Sequence, residues 1–371
     1  MKTINDLEIK EETKVLLRLD FNVPINDSEE IENTFRIDES LSTIKHLQEL
    51  RAQTIIIAHK ESGSLEIIAN YLSEKVGNFQ FVKESNTNKS FVIENGGVVL
   101  FENIRLDERE KSKDESVRDE LAKELSSLAN VFVNDAFSAS HRNHASITSI
   151  PKFLPSALGP NFVREVTELT KALDPVHPTF LIVGGAKFDT KLKMLEKFIN
   201  IADKIFVGGA LAHTFWKAKG QEIGTSLLDE EVSLNDDILN SEKIILPIDV
   251  LNQENTNKTL NEITGEDKIM DFGKNTLNEI LEIAKNSETI IWNGPLGFYE
   301  KGFDKGTREL IVRLGEMQDK TIILGGGDTV AVVEKVLREN SNLKFTHISG
   351  AGGAMIDFLS NGTLPAIDAI K

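Results

Sequence analysis

Short runs rich in Val and Ile recur along this chain, each followed by a stretch in which apolar residues return at helical spacing. In the first half the runs are "KVLLRLD" (14–20), "TIIIAH" (54–59), "VVLFEN" (98–103) and "VFVND" (131–135), with helix-like stretches at 38–50, 64–76 and 116–128. In the second half they are "TFLIV" (179–183), "KIFV" (204–207), "KIILP" (243–247), "TIIW" (289–292), "TIIL" (321–324) and "FTHIS" (345–349), with helices expected near 192–200, 210–218, 275–284, 305–316 and 329–339. Apolar strands alternating with amphipathic helices are the pattern of parallel βαβ units. The expected class is α/β, built from doubly wound, Rossmann-like parallel sheets. A length of 371 residues favours two lobes over one. Pro151, Pro155, Pro160, Pro175 and Pro178 crowd one region, where a linker helix at 162–173 is expected between the lobes.

The two halves end their strands differently. Second-half strands run into glycine, as "GGAK" (184–187), "GGA" (208–210), "NGPLG" (293–297), "GGGD" (325–328) and "GAGGA" (350–354). First-half strands run into Asp20 and Asn22, His59, Asn103 and Arg105, and Asn134 and Asp135. Ligands of open α/β sheets sit beyond the carboxyl ends of the strands. One lobe therefore offers backbone N–H groups suited to a polyphosphate, the other fixed side chains suited to a small polar anion. Two such lobes suggest transfer of a group between two ligands. Asp328 reads equally as a helix N-cap and as a ligand of a divalent cation.

Several classes drop out. The chain has no cysteine, which excludes disulfides, thiol catalysis and zinc–thiolate sites. A net charge of −17 argues against a nucleic-acid or membrane-surface partner. No run approaches a transmembrane span, and "MKTINDLEIKEETK" lacks the apolar core of a signal peptide, so a cytoplasmic protein is expected. No Walker A loop occurs, and no strand ends in G-x-G-x-x-G, which weakens a nicotinamide or nucleotide-sugar reading.

A dense set of motifs then resembles the phosphoglycerate kinase family. "RLDFNVP" (18–24), "ENIR" (102–105), "VNDAFSASHRNHAS" (133–146), "GGAKFDTK" (184–191), "WNGPLGFYE" (292–300), "GGGDT" (325–329) and "SGAGGA" (349–354) follow in family order over essentially the whole chain. The resemblance implies reversible phosphoryl transfer between 1,3-bisphosphoglycerate and MgADP, giving 3-phosphoglycerate and MgATP in glycolysis, by in-line transfer on hinge closure. It implies a monomer with a 3-phosphoglycerate-binding domain at 1–160, to which 355–371 returns, and a nucleotide-binding domain at 161–354. Asp20, Phe21, Asn22, Arg36, His59, Arg105 and Arg142 would hold the phosphorylated acid, the guanidiniums as forks on its oxygens. His59 and His144 could add donors, although His144 alone reads as structural. Lys191 would reach the transferring phosphoryl group and Lys187 the nucleotide phosphates. Gly326, Gly327 and Thr329 would cradle those phosphates, with Asp328 on Mg²⁺ and Asn293 beside it. Glu300 would accept from the ribose hydroxyls, and Gly208 and Gly209 would admit the base. Gly352 and Gly353 would open a helix, near Ala354, whose N–H groups meet transition-state charge; with Arg36 and Lys191 they complete the implied catalytic set.

The chain departs from the family pattern twice. The family follows its second strand with H-L-G-R-P and a basic loop; here "AHKESGSLEII" (58–68) keeps His59, shortens the loop and loses the arginine, leaving Lys60 as a point charge. A non-catalytic relative is the rival that this loss suggests. The closing T-G-G-G-A reads "GAGGA", with Ala351 for a glycine; a left-handed backbone there would cost alanine about 1 kcal/mol.

Overall fold

A computed structural model of the chain describes residues 1–26, 28–83, 93–186, 188–229 and 234–370. They form two compact units, one of Met1–Thr167 joined by the segment that begins at Thr363, the other of Glu168–Gly362. The division runs through the helix Pro160–Leu173.

The first unit carries β1 (Lys14–Asp20), β2 (Gln53–His59), β3 (Phe79–Val82), β4 (Val98–Phe101), β5 (Val131–Asn134) and β6 (Ser156–Leu158). They form one parallel sheet in the order β3-β4-β2-β1-β5-β6. All but the first residues of β1 and β2 are buried, as in a sheet covered on both faces. The core includes Leu17, Leu19, Ile56 and Val133, with Ile37, Ile44 and Leu47 of the helix Phe35–Glu49 packed onto it. The chain fills one side of β1, then crosses to β5 on the other. That reversal opens a crevice at the carboxyl ends of β1 and β5.

The second unit has β7 (Thr179–Val183), β8 (Lys204–Val207), β9 (Ile244–Ile245), β10 (Asp249–Asn252), β11 (Asn257–Thr259), β12 (Ile269–Phe272), β13 (Thr289–Asn293), β14 (Thr321–Gly325) and β15 (His347–Ser349). Six make a second parallel sheet, β15-β14-β13-β7-β8-β9. Its order reverses between β7 and β13, where Gly184 and Gly294 follow the strands. The expected doubly wound α/β architecture is the one found. Among the described residues no helix is long and apolar enough to cross a membrane.

The three-stranded antiparallel sheet β11-β10-β12 has no counterpart in the sequence reading, nor have β3 and β6. These strands are three or four residues long, too short for a period, and β3 and β11 are partly exposed. The run 243–247 shrinks to Ile244–Ile245, because Pro247 has no N–H for a ladder. Helices start earlier than the apolar spacing indicates, at Phe188 rather than 192, Gly327 rather than 329 and Gly352 rather than 354. The last two open on glycine, which carries no apolar signal, while the first opens on a buried phenylalanine.

Three polar strand-end residues hold the fold rather than a ligand. Asp135 accepts from Thr43 Oγ1 (2.6 Å), Asn161 Nδ2 (2.9 Å) and Phe162 N (2.9 Å), fastening the helix Pro160–Leu173 to β5. Asn103 bonds Lys60 N, Lys60 O and Gly63 O, stapling the short loop after β2. Asn134 Oδ1 accepts from Ala136 N.

Candidate functional site

In the first unit, register places Asp20 beside His59 at the ends of β1 and β2. Asp20 Oδ2 accepts from Arg36 Nη1 at 3.0 Å and from Ser138 Oγ; Oδ1 accepts from Asn22 N at 2.9 Å. Arg36 Nη1 also donates to Asn22 O at 3.0 Å. Burial raises the Asp20 carboxyl, but the Arg36 guanidinium, with those hydrogen bonds, holds it down to about 2. Asn22 Oδ1 accepts from Glu61 N, so the loop after β2 leans on the one after β1.

Arg18, wholly buried in the apolar run of β1, orients His59. Its Nε donates to Ser146 Oγ at 2.7 Å, and Ser146 donates to Glu110 from both N and Oγ. Its Nη2 lies 3.1 Å from His59 Nδ1. A guanidinium only donates, so Nδ1 accepts and the ring proton sits on Nε2. Asp20 Oδ1, 3.5 Å from the same nitrogen, would pair only with a protonated ring, and the shorter Arg18 contact excludes that form. Burial, opposed by Asp20 and reinforced by Arg18, Arg142 and Arg105, carries the imidazole down to about 3. His59 is thus a neutral Nε2–H donor ringed by cations.

Arg105 and Arg142 are half-buried and close enough to act on both His59 and His144. Asp20, Asn22, Arg36, His59, Arg105 and Arg142 are therefore brought together. The Phe21 side chain is fully buried in the core, so a contact from this residue to a ligand would come from its backbone. Lys60 Nζ donates to Ser62 O at 2.6 Å within its own loop, which leaves two of the three ammonium donors for other partners.

His144 is held near 3 by burial and by Arg18, Arg142, His59 and Arg105; Glu110 Oε1, 3.7 Å from Nδ1, pulls the other way and is outweighed. An unfolded histidine takes up its proton near pH 6.5. Between about 6.5 and 3 the unfolded chain binds a proton that the folded one refuses, so this residue lowers stability as pH falls. Calorimetric melting of wild type and His144→Gln from pH 7 to 4 is expected to show wild type losing ground to the variant; a pH-independent difference counts against the account.

In the second unit the glycine bends converge at the β7/β13 crevice. Lys191, 5% exposed, comes from the helix Phe188–Phe198. A Cβ on Gly185 would lie 2.5 Å from its Nζ, and one on Gly294 would overlap it, so the ammonium sits between the two bends. Lys187 lies outside the described residues. Gly326, at φ +103°, is the N-cap of the helix Gly327–Glu339 and leaves the first-turn N–H groups without a side-chain cap. Thr329 Oγ1 is buried there with no partner among the described residues. Gly352 opens the helix Gly352–Asn361 close by; a Cβ on it would lie 3.1 Å from both Gly326 Cα and Gly327 N. Two helix N-termini thus point their partial positive charge at one place. Gly353 is exposed there. Ala351 has φ −101°, so alanine carries no left-handed strain.

Asp328 is exposed in the first turn of its helix and accepts from Tyr299 Oη at 3.0 Å; the N-cap reading falls because Gly326 holds that place. Burial, then the Asp328 charge, pushes the Tyr299 phenol upward, so it stays a donor. Asn293 is buried, with Nδ2 3.6 Å from Met355 Sδ. Among the described residues no cluster of three His, Asp or Glu could hold a metal. One carboxylate beside bare N–H groups suits Mg²⁺ carried in by a nucleotide's phosphates. Beside the bends lies a cavity of about 490 Å³, with Gly209, Glu300 and Asp328 in its wall. Gly208 packs against Leu296.

Sequence reasoning missed Arg18, Ser138, Glu110, Ser146 and Tyr299. For Arg18 a signal existed: a lone charge inside the apolar run "KVLLRLD" has to be buried and paired.

A family model described as phosphoglycerate kinase matches residues 4–362. A phosphoglycerate kinase of Staphylococcus epidermidis is 38% identical over 100% of this chain and 99% of its own length. One from Finegoldia magna is 37% identical over 100% of this chain and 98% of its own. The solved phosphoglycerate kinase of Coxiella burnetii superposes with a TM-score of 0.83 at 31% identity, covering 99% of this chain and 98% of that one. That of Pyrococcus horikoshii gives 0.85 at 27%, covering 100% and 98%.

Proposed function

Because the chain belongs to the phosphoglycerate kinase family, we infer that it transfers a phosphoryl group reversibly between MgATP and the carboxylate of 3-phosphoglycerate. The observation that carries the site assignment is the seat of Lys191, a buried ammonium between two glycine bends beside two helix N-termini. Such a group neutralises charge on a moving phosphoryl without reorganising.

The nucleotide belongs to the unit Glu168–Gly362, its phosphates on the N–H groups of Gly326, Gly327 and Thr329. Mg²⁺ is part of that substrate and adds charge neutralisation, with Asp328 as its protein ligand. Glu300 takes the ribose, and Gly208 and Gly209 border the base. The acid belongs to the other unit. Its phosphate and carboxylate meet Arg36, Arg105 and Arg142, and His59 donates from Nε2. Asp20 holds Arg36 in place. The acceptor carboxylate is already ionised at neutral pH, so no general base is needed. The working form in this reading is a cytoplasmic monomer.

The test is a coupled assay with 3-phosphoglycerate and MgATP. Wild type should turn over, and chelating Mg²⁺ should abolish the rate. Arg36→Ala should lower kcat/KM by at least about 10²-fold, as loss of a charged bidentate contact predicts. An inactive wild type would favour the non-catalytic rival, and full activity in Arg36→Ala would remove that residue from the site.

A further inference from the structure

Arg18 and Glu110 are a cation and an anion sealed inside the first unit, 0% and 1% exposed. A buried pair of charges adds little net stability, because desolvation offsets most of the Coulomb attraction. Its place in the fold points to another role. Glu110 sits on the short helix Glu108–Lys111, five residues after Arg105; Ser146 sits on the turn Ala145–Ser149, four after Arg142. The bonds between Glu110 and Ser146 thus join the two segments that carry arginines for the acid.

Ser146 makes the link directional. Arg18 Nε only donates, so Ser146 Oγ accepts from it at 2.7 Å and turns its own hydrogen to Glu110 Oε1, at 2.6 Å. Ser146 N donates to the other carboxylate oxygen, Oε2, at 2.9 Å. The remaining arms of Arg18 are held too: Nη1 donates to Leu19 O, and Nη2 reaches His59 Nδ1 at 3.1 Å. Burial lowers Arg18 and raises Glu110, and each charge opposes the shift of the other. The guanidinium therefore has one orientation, and through it His59 has one tautomer. His144 is near as well, but its Nδ1 is 3.7 Å from Glu110 Oε1, beyond hydrogen-bond distance.

We propose that Glu110 is a positioning residue of the acid site: through Ser146 it locks Arg18 against His59 Nδ1, which keeps the His59 proton on Nε2 for the acid, and it ties the Arg105 segment to the Arg142 segment. This rests on the acid assigned above to the first unit. A glutamine in its place can accept only one of the two Ser146 bonds and sets no charge against Arg18. The link then slackens, and His59 and both arginines lose their fixed places. The nucleotide groups belong to the other unit and keep theirs.

Kinetics and NMR on the whole chain test this. In the coupled assay Glu110→Gln is expected to raise KM for 3-phosphoglycerate by about 10-fold or more, the scale of one lost hydrogen bond to a charged group, with KM for MgATP within about 2-fold of wild type. Ser146→Ala, which deletes the bridging oxygen, should raise KM for the acid by about 3- to 10-fold. NMR of protein labelled with nitrogen-15 histidine reads the tautomer of His59, whose signals are identified by their loss in His59→Gln. Wild type should show the Nε2–H form alone and Glu110→Gln a mixture. A wild type with the His59 proton on Nδ1 overturns the proposal. So does Glu110→Gln with either the acid KM or the His59 spectrum unchanged, or with both KM values raised alike, which is the mark of a general structural role. Turnover of 3-phosphoglycerate by wild type leaves the kinase reading standing in each of these cases; its absence sinks both readings. If Glu110→Gln does not fold, Ser146→Ala decides on the same readouts.

Discussion

Lys191→Ala is expected to lower kcat by about 10²- to 10³-fold, the usual cost of removing one preorganised charge from a transferring group. Three features of the site set this scale. Lys191 is 5% exposed as a residue, so its charge is little screened by water. It lies between the Gly185 and Gly294 bends, which leave it almost no freedom. The helices beginning at Gly327 and Gly352 start close by and aim their N–H groups at the same region. Nucleotide KM should move far less, because the moving phosphoryl group gains most from the charge in the transition state. Lys191→Arg should not restore the rate: a planar fork is wider than an ammonium, and the bends leave no room for it. The coupled assay reads both variants. A Lys191→Ala enzyme within 10-fold of wild type would mean that the ammonium only packs the crevice.

Gly294→Ala should be among the most destabilising single substitutions in the second unit, at about 2–5 kcal/mol. Gly294 has φ +91°, a conformation that L side chains avoid. An added Cβ would overlap the carbonyl oxygen of Gly184 and the Lys191 ammonium. Retreat is blocked, because Trp292 Nε1 donates to Gly294 O at 2.8 Å from a fully buried ring. Gly302 supplies the control. It has φ +80° with open space around it, so Gly302→Ala should cost only about 1 kcal/mol of backbone strain. Urea unfolding of the two variants separates crowding from strain. Equal losses would show that the close approach of the bends has no energetic weight.

The elements legible from sequence were those with a strong period. β1, β2, β7, β8 and β13 are apolar through most of their length because helices cover both faces of their sheets. The antiparallel trio was not legible, since polar side chains such as Asp249 and Asn252 break its apolar pattern. Asp249 Oδ1 accepts from Thr276 N at 2.8 Å and Asn252 Nδ2 donates to Asp267 Oδ1 at 2.9 Å, bonds to distant segments that no local spacing reveals. Ordered motifs made Arg36, Asp20 and His59 legible as a group. Asn103 and Asp135, which carried the same strand-end signal, proved to be structural.

Sequence alone determined the class of fold, the family and the kinds of group at each strand end, because strand and helix periods and motif order are local properties of the chain. Only tertiary structure decided what those groups can do. The His59 proton sits on Nε2 because Arg18 donates to Nδ1, and Lys60 donates within its own loop. The seat of Lys191 depends on two bends more than 100 residues apart, brought together where β7 and β13 pair. Protonation, orientation and confinement depend on distances between segments remote in sequence, and those distances exist only once the sheets have formed.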